Sequence, residues 1–158
     1  MKTIVTNIGM LATPKGTGPR KGPAQGKIEI LKDAWVLMED CLVSQVGTGP
    51  APAADQTIDA QGNLVTPGLV DAHTHLIFGG WRQNELGMKL HGKTYLEIQN
   101  AGGGIQSTTN ATRQATEEEL TQKAARALDE MMGFGVTTCE AKSGYGLATE
   151  HELKALQV

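Results

Sequence analysis

The sequence predicts an α/β protein in which a β-rich first part, residues 1–66, precedes a strand–helix–strand segment, residues 67–158. Three observations carry this reading. Short aliphatic and β-branched runs separated by Gly, Pro and Asx turns fill the first part. An apolar run entered through Pro67-Gly68 ends in two histidines, His73 and His75. Further on, a helix with explicit start signals leads into a second β-branched run, which makes a βαβ unit between residues 69 and 140.

Within the first part, Lys2–Ile8 is a short strand, with Asn7 opening a turn toward Met10-Leu11. Residues 13–26 hold four glycines, three prolines and three basic residues, a composition that resists packing and reads as a mobile loop. They lack the strand, helix and spacing of a phosphate loop. Ala34–Met38 and Cys41–Val46 flank Glu39-Asp40 as a hairpin would. Thr57–Asp59 and Leu64-Val65 bracket a turn at 61–63. Together these runs make a small antiparallel β unit.

After the histidines the period changes. Leu86, Leu90, Tyr95, Leu96 and Ile98 fit short helical pieces broken at Gly92, and residues 101–105 form a triple-glycine loop. The clearest helix is 117–132: Thr116 and Glu119 make a capping box, acids crowd the first turn, and Leu120, Ala124, Leu128 and Met131 recur at helical spacing. A strand over Val136–Glu140 follows. Thr149 with Glu152 predicts a second capping box, and the helix it starts is read as cut short after about two turns, since short helices draw their stability from packing.

Bulk properties narrow the function classes. Fourteen Lys and Arg against seventeen Asp and Glu give a net charge of −3, which speaks against nucleic acid or an anionic membrane as partner. No apolar run reaches the ~18 residues of a membrane span, and no signal pattern opens the chain, so the expected compartment is cytoplasmic. Cys41 and Cys139 show neither zinc-ribbon nor disulfide spacing.

Side chains in a strand alternate with period 2, so His73 and His75 share one face, close enough to hold one metal ion, while Thr74 points away. Asp71 shares that face and is placed to accept a ring N–H. Two histidines at this spacing also occur as plain surface residues. The apolar run Leu64, Val65, Leu69, Val70 leading into them puts the rings at the end of a buried strand, where they need partners. Either zinc or iron suits two imidazoles.

The residues PGLVDAHTH, 67–75, resemble the PGxxDxHxH signature of the amidohydrolase superfamily of metal-dependent hydrolases. Phe78-Gly79-Gly80 with Arg82, then AGGGI (101–105), STTNATR (107–113) and KSGYG (142–146), resemble its imidazolonepropionase branch, which opens the imidazolone ring in histidine degradation. The resemblance implies the first βα units of a (β/α)8 amidohydrolase barrel after an N-terminal part of a small β-sandwich-like domain. At 158 residues the barrel is incomplete, since a whole one takes ~250.

The same resemblance implies one divalent metal ion, zinc or iron, held by His73 and His75, with a further histidine and aspartate expected beyond residue 158. It implies a small-molecule substrate, 4-imidazolone-5-propanoate, whose carboxylate meets Arg82 and which Tyr145 also binds. A solvated loop arginine is the plainer reading of Arg82. Lys142 is left outside the metal shell, Glu140 is a neighbour of it, and His91 and His151 match no ligand. The chain alone is expected to be inactive, and to form a homo-oligomer or to need the missing C-terminal portion. Another cyclic-amide hydrolase or deaminase, or a non-catalytic assembly module, remains the alternative.

Overall fold

A computed structural model describes residues 1–14, 16 and 18–158, which form two compact units, Met1–Pro67 and Gly68–Val158. The first is a five-stranded sheet in the order β3-β2-β1-β4, with β5 also on β1. Strand β1 (Lys2–Pro14) pairs antiparallel with β2 (Ile28–Glu39), and β2 pairs antiparallel with β3 (Leu42–Thr48). Strands β4 (Gln56–Asp59) and β5 (Leu64–Val65) both run parallel to β1. The unit is therefore mixed, not purely antiparallel, because the chain leaves β3 at one edge and returns on the far side of β1.

Three local expectations need correction. Asn7 does not open a turn: β1 runs on to Pro14, and the pairing shifts between Val5 and Ile8, where Asn7 takes a left-handed φ of 52°. One extra residue on β1 makes this a β-bulge. Asp59 anchors it, accepting from the Asn7 side chain and from the Gln61 N–H, each at 2.8 Å. The hairpin turn lies one residue later than expected, at Asp40 and Cys41, whose paired positive φ values of 49° and 70° suit a two-residue hairpin. Of the loop expected over 13–26, Lys15 and Thr17 lie outside the described residues; Thr13 and Pro14 belong to β1, and residues 22–26 form a short 3-10 helix. Ile8, Leu11 and Ala34 centre the core, with Val5, Leu31, Val36 and Val65 packed on them.

In the second unit, β6 (Leu69–Thr74) lies parallel to β7 (Val136–Ala141), and the crossover between them carries four helices. Helices α1 (Asn84–Leu90) and α2 (Tyr95–Asn100) are short, the latter starting at a Thr94/Glu97 capping box. Helix α3 (Gly104–Gln114) covers a stretch that had no helical signal, because its buried face is threonine: Thr108, Thr109 and Thr112 are at most 5% exposed. Threonine satisfies its own hydroxyl there, and Thr112 donates to the Thr108 carbonyl at 2.7 Å. The third glycine of the 101–105 loop thus belongs to a helix.

Helix α4 (Glu117–Gly133) begins at the Thr116/Glu119 capping box that its sequence announces. Its apolar stripe works as the spacing demands: Leu120, 1% exposed, and Ala124 pack against Leu76 and Ile77, which follow β6, and against Ala155 of α5 (Thr149–Gln157). The result seats the residues just after β6 against α4 and α5. Among the described residues, no helix is long and apolar enough to cross a membrane.

Candidate active site

The site is built where β6 ends. His73 lies in the strand and His75 one residue beyond it, with ring centroids 5.7 Å apart and ring planes at 89°. The two imidazoles are neighbours, as the period-2 argument requires of a shared face. The strand itself is less regular than that argument assumes, since pairing with β7 shifts between Asp71 and Thr74.

That irregularity changes the role read for Asp71. Its carboxylate accepts the Thr74 hydroxyl at 2.5 Å and the backbone N–H of His73 at 3.0 Å, rather than an imidazole N–H. Thr74 therefore turns back toward Asp71 instead of standing clear of it. The Thr74 hydroxyl, then the His73 N–H and the His73 charge, hold the Asp71 carboxyl below its ordinary range. Asp71 stays an anion beside the histidines and braces the backbone from which they project.

His75 is half-buried, and its Nδ1 is buried without a hydrogen-bond partner. A buried polar nitrogen in that state is costly unless something polar meets it. The ring of Tyr145 stands over His75 at 5.2 Å between centroids, and the ring of Phe78 lies 5.9 Å from Tyr145. Two adjacent imidazoles, one of them short of a partner, with a carboxylate alongside, fit a divalent metal in their donor chemistry. Among the described residues, no group of three or more His, Cys, Asp or Glu converges to hold a metal ion.

Arg82 follows the Gly79-Gly80 turn, with Nη1 4.0 Å from Glu85 Oε2. Glu85 is 7% exposed; it accepts the Gly104 N–H at 2.6 Å and has Lys89 3.9 Å away. The AGGGI glycines are thus tied to the arginine loop through one buried carboxylate. Residues 79–81 are pinned in turn: Gly79 donates to Thr112 Oγ1 at 2.9 Å, and Lys123 Nζ donates to the Gly80 carbonyl at 2.5 Å. Lys123 also lies 3.3 Å and 3.9 Å from the ring centroids of Phe78 and Trp81. Burial pulls its pKa down to about 8, against the attraction of both ring faces for its cation. Nothing in its sequence context singled it out.

The remaining candidates take ordinary roles. Glu140 pairs with Lys142 at 3.2 Å. The His91 ring Nδ1 lies 2.7 Å from the Gly87 carbonyl at the end of α1, and His151 lies 3.4 Å from Glu150. The second capping box does not form. Ala148 is the N-cap of α5, without a side-chain cap, and Glu152 reaches back to accept the Leu147 N–H at 2.8 Å. Thr149, one residue too late, is already inside the helix.

With this geometry in place, known proteins give it a context. The Amidohydrolase family model matches residues 56–105, across β4 to the start of α3. Proteins named imidazolonepropionase from Alkaliphilus metalliredigens and Bacillus mycoides are 48% identical to the chain over 98% and 99% of its length. One from Brevibacillus brevis is 48% identical over 98%. The chain spans 38–39% of the length of these relatives and corresponds to their N-terminal part. A solved Xaa-Pro dipeptidase with methionine in its active site superposes with a TM-score of 0.57 at 17% identity, covering 93% of this chain and 28% of that one. A solved amidohydrolase gives 0.55 at 18% identity, over 97% and 29%. The solved structures share the mixed α/β fold of this chain over 28–29% of their own length, and the resemblance read from the sequence agrees with the named relatives.

Proposed function

We propose that this chain is the N-terminal part of an imidazolonepropionase and supplies that enzyme's first two metal ligands and its substrate-orienting side chains. The complete enzyme hydrolyses 4-imidazolone-5-propanoate to N-formimidoyl-L-glutamate. The observation that carries the reading is the grouping of His73, His75 and Tyr145 around the end of β6, the rings of His73 and Tyr145 lying 5.7 Å and 5.2 Å from that of His75.

His73 and His75 would hold one divalent ion, zinc or iron, together with donors outside this chain. Bound there, the ion supplies Lewis-acid chemistry and lowers the pKa of water for attack on the ring amide. The chain's own residues do the rest of the binding. Arg82, with its planar fork, takes the propionate carboxylate in two parallel hydrogen bonds. Tyr145 donates its phenol to the substrate from beside His75, and the Tyr145 and Phe78 rings wall the ring-binding space and shed water from it. Asp71 remains charged and keeps the His73 backbone in register.

Arg82 leaves Glu85 readily in this scheme, since 4.0 Å is a loose ion pair. With less than half of its relatives' length, the chain by itself is expected to be inactive. Exposed apolar residues beside the second unit's strands, Met132 at 64% and Phe134 at 83%, support association with a completing segment or a second copy. The substrate is a small polar molecule, and the compartment read for the enzyme is the cytoplasm.

The test joins this chain to the remaining portion of the Alkaliphilus metalliredigens relative. Metal-dependent loss of imidazolone absorbance by the joined protein, and none by the 158-residue chain, is the expected result. A joined, folded protein that binds metal and leaves the imidazolone untouched would overturn the assignment.

A further inference from the structure

The backbone of residues 143–147 carries Tyr145, and two charged side chains from different helices grip it. Arg113, the last basic residue of α3, donates through Nε to the Gly146 carbonyl at 2.7 Å and through Nη2 to the Leu147 carbonyl at 3.2 Å. Glu152, in the first turn of α5, accepts the Leu147 N–H at 2.8 Å. The two helices are themselves joined, because Lys154 Nζ donates to the carbonyls of Thr112, Arg113 and Ala115 at 3.0, 3.1 and 2.7 Å. Leu147 meanwhile holds a left-handed φ of 51°, a conformation a leucine keeps only when its surroundings over-determine it.

The loop so held presses on the site. A Cβ built on Gly146 would come within 2.7 Å of the α5 backbone at His151 and Glu152, so the loop can approach the helix only as glycine. On its other side Gly144 packs on the imidazole of His75. Moving this segment therefore moves two things at once: the phenol of Tyr145 and the packing that orients His75.

We propose that Arg113 and Glu152 are positioning residues, which clamp the backbone of residues 143–147 from two helices and thereby set Tyr145 over His75. Neither touches the metal ligands or the phenol in this role. Arg113 contributes through a fork that meets two successive carbonyls, a job a point-charge lysine performs only in part. Glu152 contributes a fixed acceptor to an N–H that a left-handed residue presents. What Tyr145 does for substrate rests on the imidazolonepropionase reading; that the clamp places it does not.

The test has two arms. In the 158-residue chain, amide exchange at Leu147 and the ring-proton signals of His75 are followed by NMR in Arg113→Ala and Glu152→Ala, with Arg113→Lys and Glu152→Gln as milder partners. Each alanine variant is expected to speed Leu147 exchange on the order of 10-fold and to shift the His75 ring signals, while amides within α4 keep their protection. The double variant should do little more than either single, because both hold one segment, and the milder pair should fall between wild type and alanine. Should an alanine variant fail to fold, the milder pair carries the comparison. Unchanged Leu147 exchange and unchanged His75 signals would overturn the clamp.

In the joined full-length enzyme, the clamp variants are expected to lose roughly 10-fold in kcat with metal content kept. Loop signals that move while kcat and KM both hold would overturn the positioning role. Tyr145→Phe in the same assay isolates the other assumption: if it leaves both constants unchanged, the reading of Tyr145 as a substrate group fails, whatever the clamp variants do in the first arm.

Discussion

Gly144 lies so close to His75 that a Cβ added to it would sit 2.5 Å from Cε1 and 2.9 Å from Nδ1 of the imidazole. Its φ of 154° is also one that side chains rarely adopt. Gly144→Ala must therefore displace either the loop or the ring. The ring is expected to yield, since the loop is held at several points. Cobalt binding to the joined enzyme, followed by its visible spectrum, should weaken on the order of 10-fold, with helix content unchanged. Wild-type affinity in this variant would mean that His75 is not a ligand in the orientation seen.

His73→Ala and His75→Ala are each expected to strip the metal from the joined enzyme and abolish turnover. Thr74→Ala frees an Asp71 oxygen from its hydroxyl partner at 2.5 Å without removing an imidazole, and should keep the metal. Elemental analysis of the three purified variants decides this. Equal metal content in all three would remove the histidine pair from the ligand set.

Arg82→Lys keeps a charge but loses the two-point grip on a carboxylate. The expected loss is a charge-assisted hydrogen bond of ~1.5–3 kcal/mol, or roughly 10- to 150-fold in kcat/KM. With an analogue lacking the carboxylate, wild type and variant should perform alike. A full penalty that persists with the analogue would place Arg82 in support of its own loop, through Glu85, and not on the substrate.

Acid should loosen α5 from the loop it holds. Burial alone would raise the Glu152 carboxyl, but the hydrogen bonds from Leu147, Ser143, Gly146 and Gly144 outweigh it, and its pKa is lowered on balance. A carboxyl lowered by folding stabilises the folded state at pH above its unfolded value of about 4.3, and that stabilisation fades as pH falls through the lower folded value. The melting temperature of wild type should thus drop on acidification in that window more steeply than that of Glu152→Gln, which has no proton to gain. Parallel curves for the two proteins would mean Glu152 is not the group involved.

The residues that declare themselves along the chain are those whose signal is local. Thr116 and Glu119 cap α4 because both partners lie within one turn, and Leu120 and Ala124 face the core because helical spacing puts them on one side. His73 and His75 are adjacent because a strand end places alternate side chains together. The motif residues around them carried enough specificity for the resemblance with which the named relatives agree.

Tertiary structure decided the rest, where a partner was set by the folded loop or lay far along the chain. Glu152 has the spacing of a capping residue, yet its carboxylate goes to Leu147, because a loop folded against the N-terminus of α5 offers an N–H that Thr149 does not. Threonines 108, 109 and 112 gave no helical stripe; they are buried because α3 packs beneath the Gly79 turn, where Thr112 meets an N–H 33 residues away. Arg113 reaches the Tyr145 loop across a similar separation. Local pattern determines an element where its whole signal lies within a turn or a strand period, as it does for α4 and not for α3. Which polar group finds which partner depends on where the crossover brings the chain back, and only the folded chain settles that.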